Sequence, residues 1–139
     1  MKPRILLDTG PLVAFLHADD IHHEWAREQF GLLEAPLLTC EAVIAESCHL
    51  LRKIPHAPAR VLELLQRGRI EIALSLQHEI TATHALLQRY RDRPASLADI
   101  CLVRMSEIHD SAVVLTLDSD FYNYRRLGRK TIPVLRPGL

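Results

Sequence analysis

Short apolar runs alternate with helical segments along the whole chain, and this alternation constrains the fold more than any other feature. Ile5-Leu6-Leu7 reads as a strand ending at Asp8. Pro36 to Thr39, Ile70 to Leu74, Ala112 to Thr116 and Ile132 to Leu135 read as four more. The run from Ala112 is continuous and β-branched, the pattern of a strand covered on both faces. Between the runs lie segments of helical character. The first spans about Pro11 to Ala18, and the second, capped by Asp20, carries Trp25, Phe30 and Leu33. A third spans about Glu41 to Lys53, with Thr39 or Cys40 near its cap, and a fourth spans Pro58 to Gln66 and stops at Gly68. A fifth, capped by Ser75, spans about Leu76 to Tyr90. The last opens on Ser96-Leu97-Ala98-Asp99, the spacing of a capping box, and runs to about His109. Strands alternating with helices imply parallel strands joined by right-handed crossovers. The expected fold is therefore α/β, a three-layer α/β/α sandwich with a parallel sheet of about five strands. Pro133 marks the last strand as an edge, because proline donates no ladder hydrogen bond.

With 139 residues the chain is read as one domain, residues 1–139. Apolar residues make up 48%, too many for a disordered segment, yet no apolar run approaches the length of a membrane span. The apolar run before Asp8 is only Ile5-Leu6-Leu7, which leaves a secretory signal no room. Cys40, Cys48 and Cys101 are odd in number and lack short spacing, which argues against a disulfide framework or a zinc knuckle. Cys40 and Cys48 read as small core residues, and a cytoplasmic location is expected. The 17 basic and 17 acidic residues cancel, which excludes a simple polycation that grips nucleic acid over its whole surface.

In an open α/β sheet, sites form beyond the carboxyl ends of the strands. Asp8 directly follows the first strand and Asp118 closely follows the fourth. If those strands are neighbours, their carboxylates converge. Glu46 lies at the edge of the apolar stripe of its helix, and Asp99 shares a face with Leu102 and Val103. Each acid also has an ordinary structural reading. Asp8 can cap the following helix, Asp99 can be the acidic member of the capping box, Glu46 can be a surface acid, and Asp118 and Asp120 can form a turn. Converging carboxylates repel one another, and a divalent cation relieves the repulsion. Hard Mg²⁺ or Mn²⁺ prefers such oxygen ligands, and no His or Cys cluster competes for the role. An acid cluster around such an ion suits phosphoryl chemistry. Thr9 and Thr116 place hydroxyls beside Asp8 and Asp118, where they can orient a carboxylate or a water, though both also suit a turn and a strand.

Four segments together resemble the PIN-domain family. Leu6-Leu7-Asp8-Thr9-Gly10-Pro11-Leu12-Val13-Ala14 is similar to its opening motif and Val43-Ile44-Ala45-Glu46 to its second. Leu97-Ala98-Asp99-Ile100 and Leu115-Thr116-Leu117-Asp118-Ser119-Asp120-Phe121 are similar to the third and fourth. The size is similar to VapC toxins of toxin–antitoxin pairs. The resemblance implies a metal-dependent endoribonuclease using Mg²⁺ or Mn²⁺, with Asp8, Glu46, Asp99 and Asp118 as catalytic metal ligands. It makes Asp120 a candidate auxiliary acid. Ser96 stands where related sequences often carry an acid, and Asp92 lies a few residues upstream. It also implies a homodimer and a VapB-like antitoxin, for which Trp25, Phe30, Leu33 and the Pro58–Gly68 helix are candidate contacts.

Arg89, Arg91, Arg93, Arg125, Arg126, Arg129 and Lys130 flank the third and fourth motifs. Among them Arg125, Arg126, Arg129 and Lys130 are candidate RNA contacts, with Tyr122 and Tyr124 as stacking candidates. The alternative is a solvated charged face. Two other function classes fit acids at strand ends. One is a non-catalytic module of the same fold. The other is an aspartyl phosphotransferase or receiver-like domain, against which Gly10 stands where a second Asp is wanted and Lys130 is poorly placed after the fourth strand.

Overall fold

The computed structural model describes residues 2–138. A single sheet contains β1 (Arg4–Leu7), β2 (Leu37–Thr39), β3 (Ile70–Ile72), β4 (Ala112–Leu115) and β7 (Val134–Leu135), in the order β3-β2-β1-β4-β7. Every pairing in it is parallel. Six helices flank it: α1 (Thr9–Leu16), α2 (His23–Leu32), α3 (Glu41–Leu50), α4 (Ala57–Gln66), α5 (Ile80–Arg89) and α6 (Leu97–Ile108). The expected three-layer α/β/α sandwich with five parallel strands is thus present. The strand order runs outward from β1 to β3 and then returns to β4 on the other side of β1. That reversal between β1 and β4 opens a crevice at their carboxyl ends.

Burial explains the order. Leu6 and Leu7 on β1 and Val114 and Leu115 on β4 are fully buried, as strands covered on both faces must be. Helix α6 packs against β4 and β1, and its Ile100, Leu102, Val103 and Met105 are fully buried. Each such side chain stabilises the fold by about 1.5–3 kcal/mol relative to leaving it in water. The cysteines are free. Cys40 and Cys101 are buried and Cys48 is half-buried, so they serve as small core residues. Contact with the Cys101 thiol, and then burial, push the Cys40 thiol up, which keeps it neutral and unreactive. Pro133 lies just before β7, an edge strand as expected. Its carbonyl accepts from Val114 N, but its ring nitrogen cannot donate, so the strand begins only at Val134.

Several boundaries differ from the sequence expectation for identifiable reasons. Helix α1 begins at Thr9 rather than Pro11, because Asp8 is already its N-cap and accepts from Thr9 N. Asp20 does not cap α2. Its carboxylate accepts from His22 N at 2.8 Å and closes a separate turn, and the helix starts at His23. Ser75 likewise closes a turn by accepting from His78 N, so α5 begins only at Ile80. Helix α3 ends at Leu50 rather than Lys53. The turn expected at Asp118 and Asp120 is a 3₁₀ turn (Ser119–Tyr122), whereas a hairpin of β5 (Arg125–Arg126) and β6 (Lys130–Thr131) was not anticipated, because charged two-residue strands carry no apolar alternation. Gly128, with φ +81°, was the one local signal for the hairpin turn.

The capping box at α6 forms as expected. Ser96 Oγ accepts from Asp99 N at 3.0 Å, and Asp99 Oδ2 accepts from Ser96 N at 3.1 Å. Replacing Ser96 by Ala is expected to cost about 1 kcal/mol, seen as a fall of a few degrees in the thermal unfolding midpoint.

Candidate active site

The parallel register determines which residues meet. Leu7 pairs with Leu115, and Leu115 with Leu135. The next residue of each strand, Asp8, Thr116 and Arg136, leaves the sheet in one row at its carboxyl edge. Asp8 is almost wholly buried there, 5% exposed, and both of its oxygens are held. Thr9 N donates to Oδ1 at 2.8 Å, and the Thr116 hydroxyl donates to Oδ2 at 2.5 Å. The same hydroxyl accepts from Asp118 N at 2.9 Å, so Thr116 joins the first motif to the fourth.

Four separate elements deliver acids to one crevice. A pocket of about 470 Å³ is lined by Asp8 at the end of β1, Glu46 on α3, Asp99 on α6 and Asp118 after β4. The structure therefore brings all four expected acids together. Val13, Leu50 and Leu117 give the pocket an apolar wall. Gly10 lines it too, and a Cβ there would stand 3.1–3.2 Å from three side-chain atoms of Leu117, so a larger residue would require Leu117 to shift by a few tenths of an ångström.

Three of the four carboxylates, those of Asp8, Asp99 and Asp118, are anchored by hydrogen bonds. Asp99 Oδ2 accepts from Ser96 N and, at 3.4 Å, from the Tyr124 hydroxyl. Asp118 Oδ1 accepts from Asp120 N at 2.8 Å. Burial pushes the Asp8 carboxyl up to about 6, against the hydrogen bonds from Thr116 and Thr9 and with the charges of Asp99 and Asp118 adding to the rise. Asp99 is also raised, first by burial and then by the neighbouring charges of Asp118 and Glu46, while Ser96 opposes. Burial and the surrounding acids push the Tyr124 phenol up, so it stays a hydrogen-bond donor.

The donor set suits a hard divalent ion: oxygen ligands only, mutually repelling, with two carboxyls lifted by desolvation. Among the described residues no three His, Cys, Asp or Glu side chains stand close enough to form a finished cage. An open pocket walled by carboxylates nevertheless matches Mg²⁺, which keeps several waters and takes only one or two protein carboxylates.

The other expected residues divide clearly. Thr116 touches both Asp8 and the Asp118 loop. Thr9 acts through its backbone N–H, and its hydroxyl is buried without a partner among the described residues. Asp120 orients Asp118 through its amide, and its side chain is not part of the pocket lining. Asp92 is exposed and outside the pocket. Tyr124 is buried and faces Asp99, so it supports the site and offers no ring for stacking, whereas Tyr122 is 52% exposed.

The basic group is scattered by the hairpin. Arg125 Nη1 donates to the carbonyls of Tyr122 and Tyr124, and Arg126 Nε to the Ser106 carbonyl. Ser106 lies seven residues along α6 from Asp99, roughly 10 Å away at a 1.5 Å rise. Arg126 and Lys130 line a different cavity of about 410 Å³ with Ser111, Ala112, Thr131 and Pro133, at the end of β4 opposite Asp118. Arg129 is exposed on the hairpin. Phe30 is buried and stacks on Phe15 with ring centroids 4.0 Å apart, and Trp25 and Leu33 pack on the core, whereas Leu32 at the end of α2 is 72% exposed. Asp20 was missed as a lining residue of the acidic pocket. Its sequence context gave only a capping signal, which its bond to His22 N satisfies.

A doubly wound α/β/α domain with converging acids at its switch point defines the class. The chain belongs to the PIN domain family, whose model matches residues 5–127. Among solved structures, the VapC20 toxin of Mycobacterium tuberculosis, described as cleaving the sarcin–ricin loop, superposes with a TM-score of 0.73 at 19% identity. The match covers 84% of this chain and 91% of that one. No curated protein matches the sequence significantly.

Because the Asp8 carboxyl is raised from 3.8 to about 6, the folded state holds its proton more tightly than the unfolded state. Its contribution to stability is greatest below about pH 4 and is lost as pH rises through 6, on the order of 3 kcal/mol in all. In EDTA, Asp8→Asn is expected to be more stable than wild type at pH 7.5, with the advantage vanishing toward pH 4. Thermal unfolding across that range measures it, and a constant difference would contradict the burial argument.

Proposed function

We propose that the protein is a Mg²⁺- or Mn²⁺-dependent endoribonuclease, the VapC-like toxin of a toxin–antitoxin pair. The observation that carries this reading is the convergence of Asp8, Glu46, Asp99 and Asp118 from four elements onto one pocket. Membership of the PIN domain family and the fold shared with a toxin described as cleaving the sarcin–ricin loop support it. The reading includes a homodimer, a VapB-like antitoxin and a cytoplasmic location. Among the described residues no helix is long and apolar enough to cross a membrane.

The ion would sit among the four acids, one or two of them holding it directly and the others its waters, and it would supply charge neutralisation at the scissile phosphate and a water of lowered pKa. The chain supplies the orientation. With its carboxyl near 6, Asp8 is mostly ionised at neutral pH and presents the lone pairs that Thr9 N and Thr116 leave free. Asp99 is fixed from one side by Ser96 and Tyr124, and Asp118 by the Asp120 amide. Held in this way, the acids pay little reorganisation as water attacks phosphorus and the bond to the leaving ribose oxygen breaks.

The protein, purified free of any antitoxin, is expected to cleave RNA with Mg²⁺ or Mn²⁺ and to stop in EDTA. Asp8→Asn and Asp99→Asn are each expected to lose about a hundredfold or more in rate. Equal, EDTA-insensitive cleavage by wild type and both variants would reject the reading. Tyr124→Phe keeps the ring but not the bond to Asp99, and is expected to weaken Mn²⁺ binding by roughly tenfold in calorimetry.

A further inference from the structure

Arg136 belongs to no motif in the sequence, and the structure places it beside the acidic pocket. It follows Leu135 directly, in the row that contains Asp8 and Thr116. Its Nη2 donates to the carbonyl of Leu117 at 3.1 Å, and Leu117 lines the pocket next to Asp118. Its guanidinium carbon lies 5.4 Å from the centre of the Tyr122 ring. Tyr122, on the 3₁₀ turn after Asp118, is 52% exposed.

Arg136 differs from several other arginines in how its donors are engaged. Arg104 is spent on Glu79 and Glu107, and Arg125 and Arg126 on main-chain carbonyls. The bond to Leu117 engages only one of the five N–H donors of Arg136. Its Nε is buried without a partner among the described residues, and none of their carboxylates lies within ion-pair distance of it. A half-buried, weakly hydrated guanidinium with donors to spare suits phosphate oxygens. The exposed tyrosine beside it suits the face of a base.

We propose that Arg136 and Tyr122 form a nucleotide subsite next to the acidic pocket, the arginine taking a backbone phosphate and the tyrosine the unpaired base of a single-stranded RNA. The proposal rests on the ribonuclease reading and deepens it by naming the substrate class. A paired base is held inside its duplex and cannot reach the ring, so the subsite selects unpaired RNA. The arginine also tethers the loop that carries Asp118, which ties the subsite to the catalytic acids.

Fluorescence anisotropy of a short, labelled single-stranded RNA tests this, with Ca²⁺ replacing Mg²⁺ and intact RNA checked on a gel after each titration. Tyr122→Leu is expected to weaken binding about tenfold without changing its salt dependence. Arg136→Ala is expected to weaken binding and to reduce the slope of log affinity against log salt by about 0.7, one phosphate contact to a single strand. Arg136→Lys is expected to keep that slope. Tyr122→Leu touches no main-chain tether, so its thermal midpoint and Mn²⁺ affinity should match wild type even if Arg136→Ala disturbs the loop. Duplex RNA of the same sequence should bind Tyr122→Leu and wild type alike. If wild type cleaves RNA but the variants bind single strands with its affinity and salt slope, the subsite is wrong and the ribonuclease reading stands. If wild type neither binds nor cleaves RNA, both fall.

Discussion

The Thr116 hydroxyl donates to Asp8, 108 residues away in sequence, and accepts from the amide of Asp118. This one group holds together two carboxylates that would otherwise drive each other apart. It can do so only because β1 and β4 pair in the register that puts Leu7 against Leu115. A slip of one residue would turn Thr116 to the other face of the sheet and remove the bond. The apolar burial that fixes this register therefore stabilises a charge arrangement unfavourable by itself. Burial first, and then the neighbouring charges of Asp99 and Asp118, raise the Asp8 carboxyl there.

Structural and chemical roles coincide in the same residues. Asp8 is the N-cap of α1 and a wall of the pocket, and Asp99 completes a capping box and lines the same pocket. Reading each acid as a cap or as a site residue posed a choice that the molecule does not make. Using helix starts at the carboxyl ends of strands places the acids where main-chain amides can hold their oxygens. The remaining lone pairs are left to face the crevice.

The neutral balance of 17 acids and 17 bases conceals an uneven distribution. Five acids line the pocket, Asp20 among them, while many arginines serve the fold. Arg69 holds the Phe30 carbonyl, Arg89 the Gly128 carbonyl and Arg126 the Ser106 carbonyl. Counting arginines near the third and fourth motifs thus overstates the positive rim. What a guanidinium can bind depends on whether its donors are already engaged, and that is a property of the packed molecule.

The sequence by itself determined the fold class, the order of the elements and the four acids. Strand-length apolar runs, helix caps and turn residues are local, and Asp8, Glu46, Asp99 and Asp118 stand at fixed positions relative to them. The capping box at Ser96 and the edge position of the last strand were legible for the same reason. Only the tertiary structure decided which polar groups hold those acids. Tyr124 reaches Asp99 across 25 residues, Asp20 enters the pocket, and Arg136 reaches the Leu117 carbonyl beside it because β7 pairs with β4. It also carried Arg126 and Lys130 to the far end of the sheet through a hairpin with no apolar pattern to announce it. Hydrophobic periodicity is written along the chain, whereas the partner of a polar side chain is set by which strands become neighbours.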